Sequence, residues 1–190
     1  MKRDISDNLE SERLSVPIGK RDHIQGKPAA PISLLEYGDY ECPHCGSAHQ
    51  LVKLLREALG PDLCFVYRNF PLTSIHPHAE PAAEAAEAAG ARGRFWEMHD
   101  ALFENQDALE EDDLALYAAD LGLDANQLVA EVESGKYRSR VHADVQSGIR
   151  SGVNGTPTFF INELRYDGPF EPEAMLAALR QAAELGAEIL

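Results

Sequence analysis

The sequence predicts an α/β fold in the order βαβ, an all-helical insertion, then ββα. Three observations predict it. Two β-rich apolar runs, 31–37 and 63–69, flank a stretch with helical spacing at 43–59. From about His78 to Gly152 the apolar residues recur at helical spacing only. The chain then returns to β-rich residues at Thr158-Phe159-Phe160-Ile161 and closes on an amphipathic run from Pro172.

Taken in order, residues 1–27 read as an N-terminal arm. Residues 1–13 are polar and mixed in charge, Leu14 to Ile18 suits a short edge strand, and 19–30 reads as a loop with Gly19, Gly26 and Pro28. Pro31 to Tyr37 is the first central strand. Pro43 suits a first helical position, and Leu51, Leu54, Leu55, Ala58 and Leu59 mark an apolar face. Gly60-Pro61 ends that helix, and Leu63 to Asn69 forms the second strand, parallel to the first because a helix crosses between them.

The helical lobe is expected over 78–151, inserted into a domain made of 28–77 and 152–190. Ala79 to Ala89 has high helix propensity. Phe95, His99, Leu102 and Phe103 share one helix face, Leu114, Tyr117, Ala118 and Leu121 another, and Val141, Val145 and Ile149 a third. Asp124 with Gln127 matches a capping box, and Gly90, Gly122 and Gly135 suit helix stops. Asn162-Glu163 fits a hairpin turn between Ile161 and Leu164.

Composition bounds the function. The 190 residues are 44% apolar and carry a net charge of −15. Residues 78–150 hold 16 acidic and 6 basic residues. Such a surface excludes nucleic acid as a partner, since that needs clustered Lys and Arg. The longest apolar stretches are too short to span a bilayer. Met1-Lys2-Arg3 is followed by polar residues, with no apolar signal segment in this chain, so the cytoplasm is the expected location. Three cysteines, an odd number, argue against a structural disulfide framework. Cys64, in a strand-like run, reads as a small buried apolar residue.

The chemistry centres on Cys42-Pro43-His44-Cys45. Strand, two cysteines two residues apart, then helix is the setting of a redox dithiol. One helical turn brings the sulfurs together, and the helix N-terminus favours a thiolate. Cys42 is expected to be the exposed, attacking thiol, and Cys45 to resolve the mixed disulfide. His44 places a cationic or hydrogen-bonding group beside the sulfur. Asp39 and Glu41, just upstream, oppose it, because nearby carboxylates raise a thiol pKa. Half of a zinc site is the alternative, but zinc needs four ligands and no second pair is present. The proline in His76-Pro77-His78 breaks helical ligand geometry. No metal is expected, and His23, His49, His76, His78, His99 and His142 are given no role. Glu36, acidic within an apolar strand, could take a proton as Cys45 becomes a nucleophile, or could sit partly solvated at a strand end.

With Cys42-Pro43-His44-Cys45 after the first core strand and Gly155-Thr156-Pro157-Thr158 before the third, over residues 28–187, the chain resembles the thioredoxin-fold, DsbA-like disulfide oxidoreductases. The resemblance implies a thioredoxin-like fold with an inserted helical lobe and thiol–disulfide exchange with protein or low-molecular-weight thiols and disulfides. It implies a redox recycling partner and no cofactor beyond a redox-active Cys42–Cys45 disulfide. It implies a cis Pro157 that, with Thr156, faces the dithiol and binds substrate, and a proton-relay role for Glu36. Thr156 departs from the Val of strongly oxidising members and looks more like the isomerase and reductase branches. Together with the expected cytoplasmic location it points to a reductase, whereas the Pro43-His44 dipeptide points to an oxidant. The alternative to an enzyme is a non-redox binding module or metal-binding protein that keeps the fold.

Overall fold

The structure, a computed structural model, describes residues 13–187. Its elements are β1 (His23–Gln25), β2 (Ile32–Gly38), α1 (Pro43–Leu59), β3 (Leu63–Asn69), α2 (Ala79–Gly90), α3 (Phe95–Glu104), α4 (Glu111–Asp120), α5 (Ala125–Glu133), α6 (Arg138–Arg150), β4 (Thr158–Ile161), β5 (Leu164–Tyr166) and α7 (Pro172–Ala187), in the expected order from β2 onward. The strands form one mixed sheet in the order β1-β3-β2-β4-β5. β1–β3, β2–β4 and β4–β5 are antiparallel, which leaves β2 and β3, joined through α1, as the parallel pair. Among the described residues no helix is long and apolar enough to cross a membrane.

The chain divides into two compact units. Over the described residues one comprises 13–37, 48–68 and 147–187, the other Gly38–Ser47 and Asn69–Gln146. The helical unit therefore starts earlier than residue 78 and takes in the dithiol segment as well, because residues 70–78 are hydrogen-bonded along 38–41 (below).

In the first unit, β2 is buried on both faces apart from Ser33, and β3 is buried throughout. Burial on both sides is the usual state of paired central strands. The 1–27 arm needs correction over the residues described; 1–12 lie outside them. Leu14 to Ile18 is not a strand, and the expected 19–30 loop contains β1, with His23 opposite Tyr67. The reason is Arg68, 3% exposed at its side chain. Its Nε and Nη2 donate to Asp22 Oδ1 and Oδ2 at 2.7 and 3.0 Å. Its remaining N–H groups reach Val16 O, Pro17 O and the Tyr37 hydroxyl at 3.0–3.1 Å. All five guanidinium donors are thereby used, and they draw 16–22 onto the sheet. Short polar sequence hid that strand. The α1 face is also rotated from the expected one. Ala48, Leu51, Val52 and Leu55 are buried, while Leu54 is 53% exposed.

In the helical unit, α2 packs against α3, α4 and α5. Seven of its alanines are buried, and so are Glu84 and Glu87, because small side chains let neighbouring helices approach from several sides. Asp124 caps α5 through Gln127 N at 3.0 Å, whereas the reciprocal capping box is formed at Glu110 and Asp113. Gly122 and Gly135 take positive φ after their helices. After α2 it is Gly93, not Gly90, that does so. Ile149, expected in the α6 stripe, is 53% exposed, while Asp144 and Ser147 are buried.

Candidate active site

Cys42 immediately precedes α1, and Pro43 is its first residue. Proline suits that position because its fixed φ is helical and the first N–H would lack an intrahelical partner. The Cys42 carbonyl accepts from Cys45 N at 3.0 Å and Gly46 N at 3.2 Å, so one closed turn separates the two cysteines. The positive end of the helix dipole falls at Cys42, where it favours a thiolate. Pro43 and His44 are exposed. Cys42 is not: it is 4% exposed and Cys45 0%, against the expectation of an open attacking thiol.

Asp39, Tyr40 and Glu41 are each tied to a different part of the helical unit. Asp39 makes a local turn, Oδ1 accepting from Glu41 N at 2.8 Å, the pattern in which aspartate replaces a backbone turn. Its Oδ2 accepts from Leu72 N and from His76 Nδ1, both at 2.8 Å, and its side chain is fully buried. Cys42 N donates to Asp39 O at 3.2 Å. Tyr40, also fully buried, sets its hydroxyl 3.1 Å from His99 Nδ1 and its ring against Phe103. Phe95 and Trp96 stack edge-on beside that histidine. Glu41 accepts from His78 N at 2.7 Å and His78 Nδ1 at 3.0 Å. Phe70 N donates to Gly38 O at 2.7 Å, completing a strap of residues 70–78 along 38–41. Finally, Gln106 Nε2 donates to Tyr40 O at 2.8 Å and Cys42 O at 2.9 Å. Gly46 makes room for it: a Cβ there would lie 2.1 Å from Gln106 Oε1.

These contacts revise two readings. Asp39 and Glu41 do not face the dithiol as bare carboxylates, because each holds an imidazole. His76 and His78, given no role from sequence, belong to the site; their i, i+2 spacing matches that of Asp39 and Glu41. His99 and His142 also have partners, the latter Glu80 Oε1 at 2.7 Å. Burial lowers the pKa of His76, but the Asp39 hydrogen bond, and then the negative charges of Asp39, Cys42 and Glu41, outweigh it and leave the imidazole above its ordinary value. Gln106 carried no motif. Gly46 was a readable signal, since glycine inside a helix costs about 1 kcal/mol relative to alanine.

The other predicted residues lie in the sheet unit. Glu36, opposite Phe159, is 1% exposed, so the partly solvated strand-end reading is set aside. Thr156 and Pro157, half-buried, lead directly into β4, whose Thr158 pairs with Tyr37. Their peptide bond is cis. Thr158 Oγ1 closes this turn on Gly155 O at 2.8 Å. Cys64 is buried, and desolvation, then the charge of Asp22, pushes its thiol up, as suits an inert packing residue.

A family model described as thioredoxin matches residues 19–181. The chain belongs to the thioredoxin family. Among solved structures, this thioredoxin-family chain is similar to a thioredoxin-like oxidoreductase from Silicibacter pomeroyi, with TM-score 0.75, 26% identity and coverage of 90% of this chain and 94% of that one. It also resembles α-DsbA1 of Wolbachia pipientis, with TM-score 0.76, 20% identity and coverage of 94% and 98%. The DsbA-like fold with its helical unit is thus shared. Among curated proteins it is 44% identical over 170 residues to Na(+)/H(+) antiporter NhaA 1 of Salinispora arenicola, covering 89% of this chain and 26% of the antiporter. The chain thus spans about a quarter of the length of the curated relatives it matches.

Proposed function

We propose that this chain is a thiol–disulfide oxidoreductase acting through Cys42 and Cys45 on protein or low-molecular-weight disulfides and thiols. The observation that carries this is the closed helical turn between the two cysteines at the start of α1, with Cys45 N 3.0 Å from Cys42 O.

In the reducing direction, the Cys42 thiolate attacks one sulfur of a partner disulfide. The partner S–S bond breaks, and one partner sulfur leaves as a thiolate. Cys45 then loses its proton and attacks the Cys42 sulfur. The second partner thiolate leaves and the Cys42–Cys45 disulfide closes, two electrons having passed to the partner. In reverse, the same steps oxidise a partner dithiol, and a recycling partner restores the starting state. On this reading His44, exposed in the first turn of α1, serves as the cationic or hydrogen-bonding group for the thiolate, the buried Glu36 serves as a proton acceptor, and the cis Thr156-Pro157 segment offers backbone to an extended substrate. The dithiol itself is the redox group, with no added cofactor.

The test is a trap. With oxidised glutathione, a Cys45→Ser protein accumulates one glutathione adduct on Cys42, while the wild type closes an internal disulfide and accumulates none. No adduct on Cys42, together with one tightly held zinc per wild-type chain, supports a metal-binding protein instead.

A further inference from the structure

The strap of residues 70–78 does more than anchor the turn. Asp39 is a fully buried carboxylate that makes three side-chain hydrogen bonds, two from backbone N–H groups and one from the His76 ring. Two N–H groups fix its position, so the imidazole is fixed with it. The Asp39 backbone carbonyl in turn takes the Cys42 N–H at 3.2 Å. His76 and Cys42 are thus joined through the one residue Asp39, whose side chain takes the ring and whose carbonyl takes the Cys42 N–H, and a negative charge on Cys42 helps hold the His76 imidazole above its ordinary value. The charges that act on it are those of Asp39, Cys42 and Glu41 from the 38–42 segment, and His78, two residues on, is engaged by Glu41.

We propose that His76, oriented by Asp39, is a positioning residue whose imidazolium stabilises the Cys42 thiolate, so that oxidation of the dithiol releases a proton from His76.

The coupling works in both directions. While Cys42 is a thiolate, its charge holds the proton on His76. Closing the Cys42–Cys45 disulfide removes that charge. The balance per chain is two electrons to the partner disulfide, one proton lost by Cys45 and a further, pH-dependent fraction of a proton lost by His76. Asp39 serves as the hinge for the ring. Glu41 is held by His78 in the same manner one step nearer to Cys42, but that pair is far more open to solvent: the His78 side chain is 44% exposed against 16% for His76. Screening therefore favours His76 as the group that communicates with the thiol.

The ionisation half of this proposal concerns Cys42 alone and needs no partner; only the redox half rests on the oxidoreductase reading. The test uses the full chain as wild type, His76→Asn and His76→Lys. Asparagine keeps a donor toward Asp39 and removes the charge; lysine keeps a charge. The rate at which iodoacetamide alkylates Cys42 is followed against pH by peptide mass spectrometry, with near-ultraviolet circular dichroism as the folding control. At pH 6, His76→Asn slows alkylation about threefold to tenfold, and its titration moves to higher pH. His76→Lys regains most of the wild-type rate. An unchanged profile in His76→Asn, or equal slowing in both variants, overturns the proposal. A second measurement needs no substitution. The His76 ring titration, read by NMR in wild type, shifts to lower pH when the Cys42–Cys45 disulfide is formed. Identical His76 titrations in the two redox states overturn the coupling. Failure of Cys42 to form adducts or a disulfide, with the alkylation profile as expected, defeats the oxidoreductase reading and leaves the His76 assignment standing.

Discussion

Replacing Gly46 by alanine separates helix propensity from the architecture of the site. Gly46 lies inside α1, where alanine is favoured over glycine by about 1 kcal/mol. An added Cβ, however, would lie 2.1 Å from Gln106 Oε1 and 2.9 Å from its Cδ. The clash is with the end of a flexible side chain, so the amide swings away rather than the backbone yielding. Swinging away breaks the hydrogen bonds to Tyr40 O and Cys42 O. Two such bonds are worth about 2 kcal/mol together. Gly46→Ala is therefore destabilising by about 1 kcal/mol in the wild-type background. With Gln106→Ala already present the clash is gone, and the same substitution becomes stabilising by about 0.5–1 kcal/mol. Urea unfolding of the four proteins of this cycle gives a coupling of about 2 kcal/mol, with a change of sign between backgrounds. Additive effects would refute the claim that Gly46 is present to admit Gln106 beside the dithiol turn.

Three further outcomes follow from buried or paired charges. Asp39→Ala strands two backbone N–H groups and the His76 ring, and lowers stability by about 3 kcal/mol in urea unfolding. Arg68→Met leaves the Asp22 carboxylate, the Val16 and Pro17 carbonyls and the Tyr37 hydroxyl without its five donors. It costs about 3–5 kcal/mol and speeds tryptic cleavage after Lys20 and Arg21 as that segment comes off the sheet. The paired hydrogen bonds from Arg92, helped by Lys136, hold the Glu131 carboxyl at about 2, below its ordinary value of 4.5. A lowered folded-state pKa means stability that is present above about pH 4.5 and lost as pH falls toward 2. With allowance for solvent near this pair, Glu131→Gln is about 1–2 kcal/mol less stable at pH 7, and the gap narrows by pH 3.

The framework was legible because its signals are local. The Cys42-Pro43-His44-Cys45 turn, the 43–59 helix and the Leu63–Asn69 strand follow from a proline start, a glycine-proline stop and a run of β-formers. The Asn162-Glu163 turn was likewise readable, and both residues take the positive φ that a tight hairpin needs. The second half of the site was not legible, because it depends on what the chain brings back to the dithiol. Asp39 and Glu41 looked like opposing charges until the structure put His76 and His78 against them. β1 escaped notice because a single arginine from β3, rather than an apolar pattern, holds its flank. The α1 face was misjudged by one step: Val52 takes the buried position assigned to Leu54. At Asp144 and Ser147, hydrogen bonds to Asn69 N and to the Tyr37 hydroxyl put polar groups where a purely apolar stripe was expected.

The central claim, that Cys42 and Cys45 form one reversible redox couple, is tested most directly by equilibrating the protein in graded glutathione redox buffers and mapping every cysteine by mass spectrometry. The account predicts a single transition to an internal Cys42–Cys45 disulfide, with a two-electron slope of about 30 mV per tenfold change and Cys64 left as a thiol. Glutathione adducts without an internal disulfide, or a pairing that consumes Cys64, would contradict it.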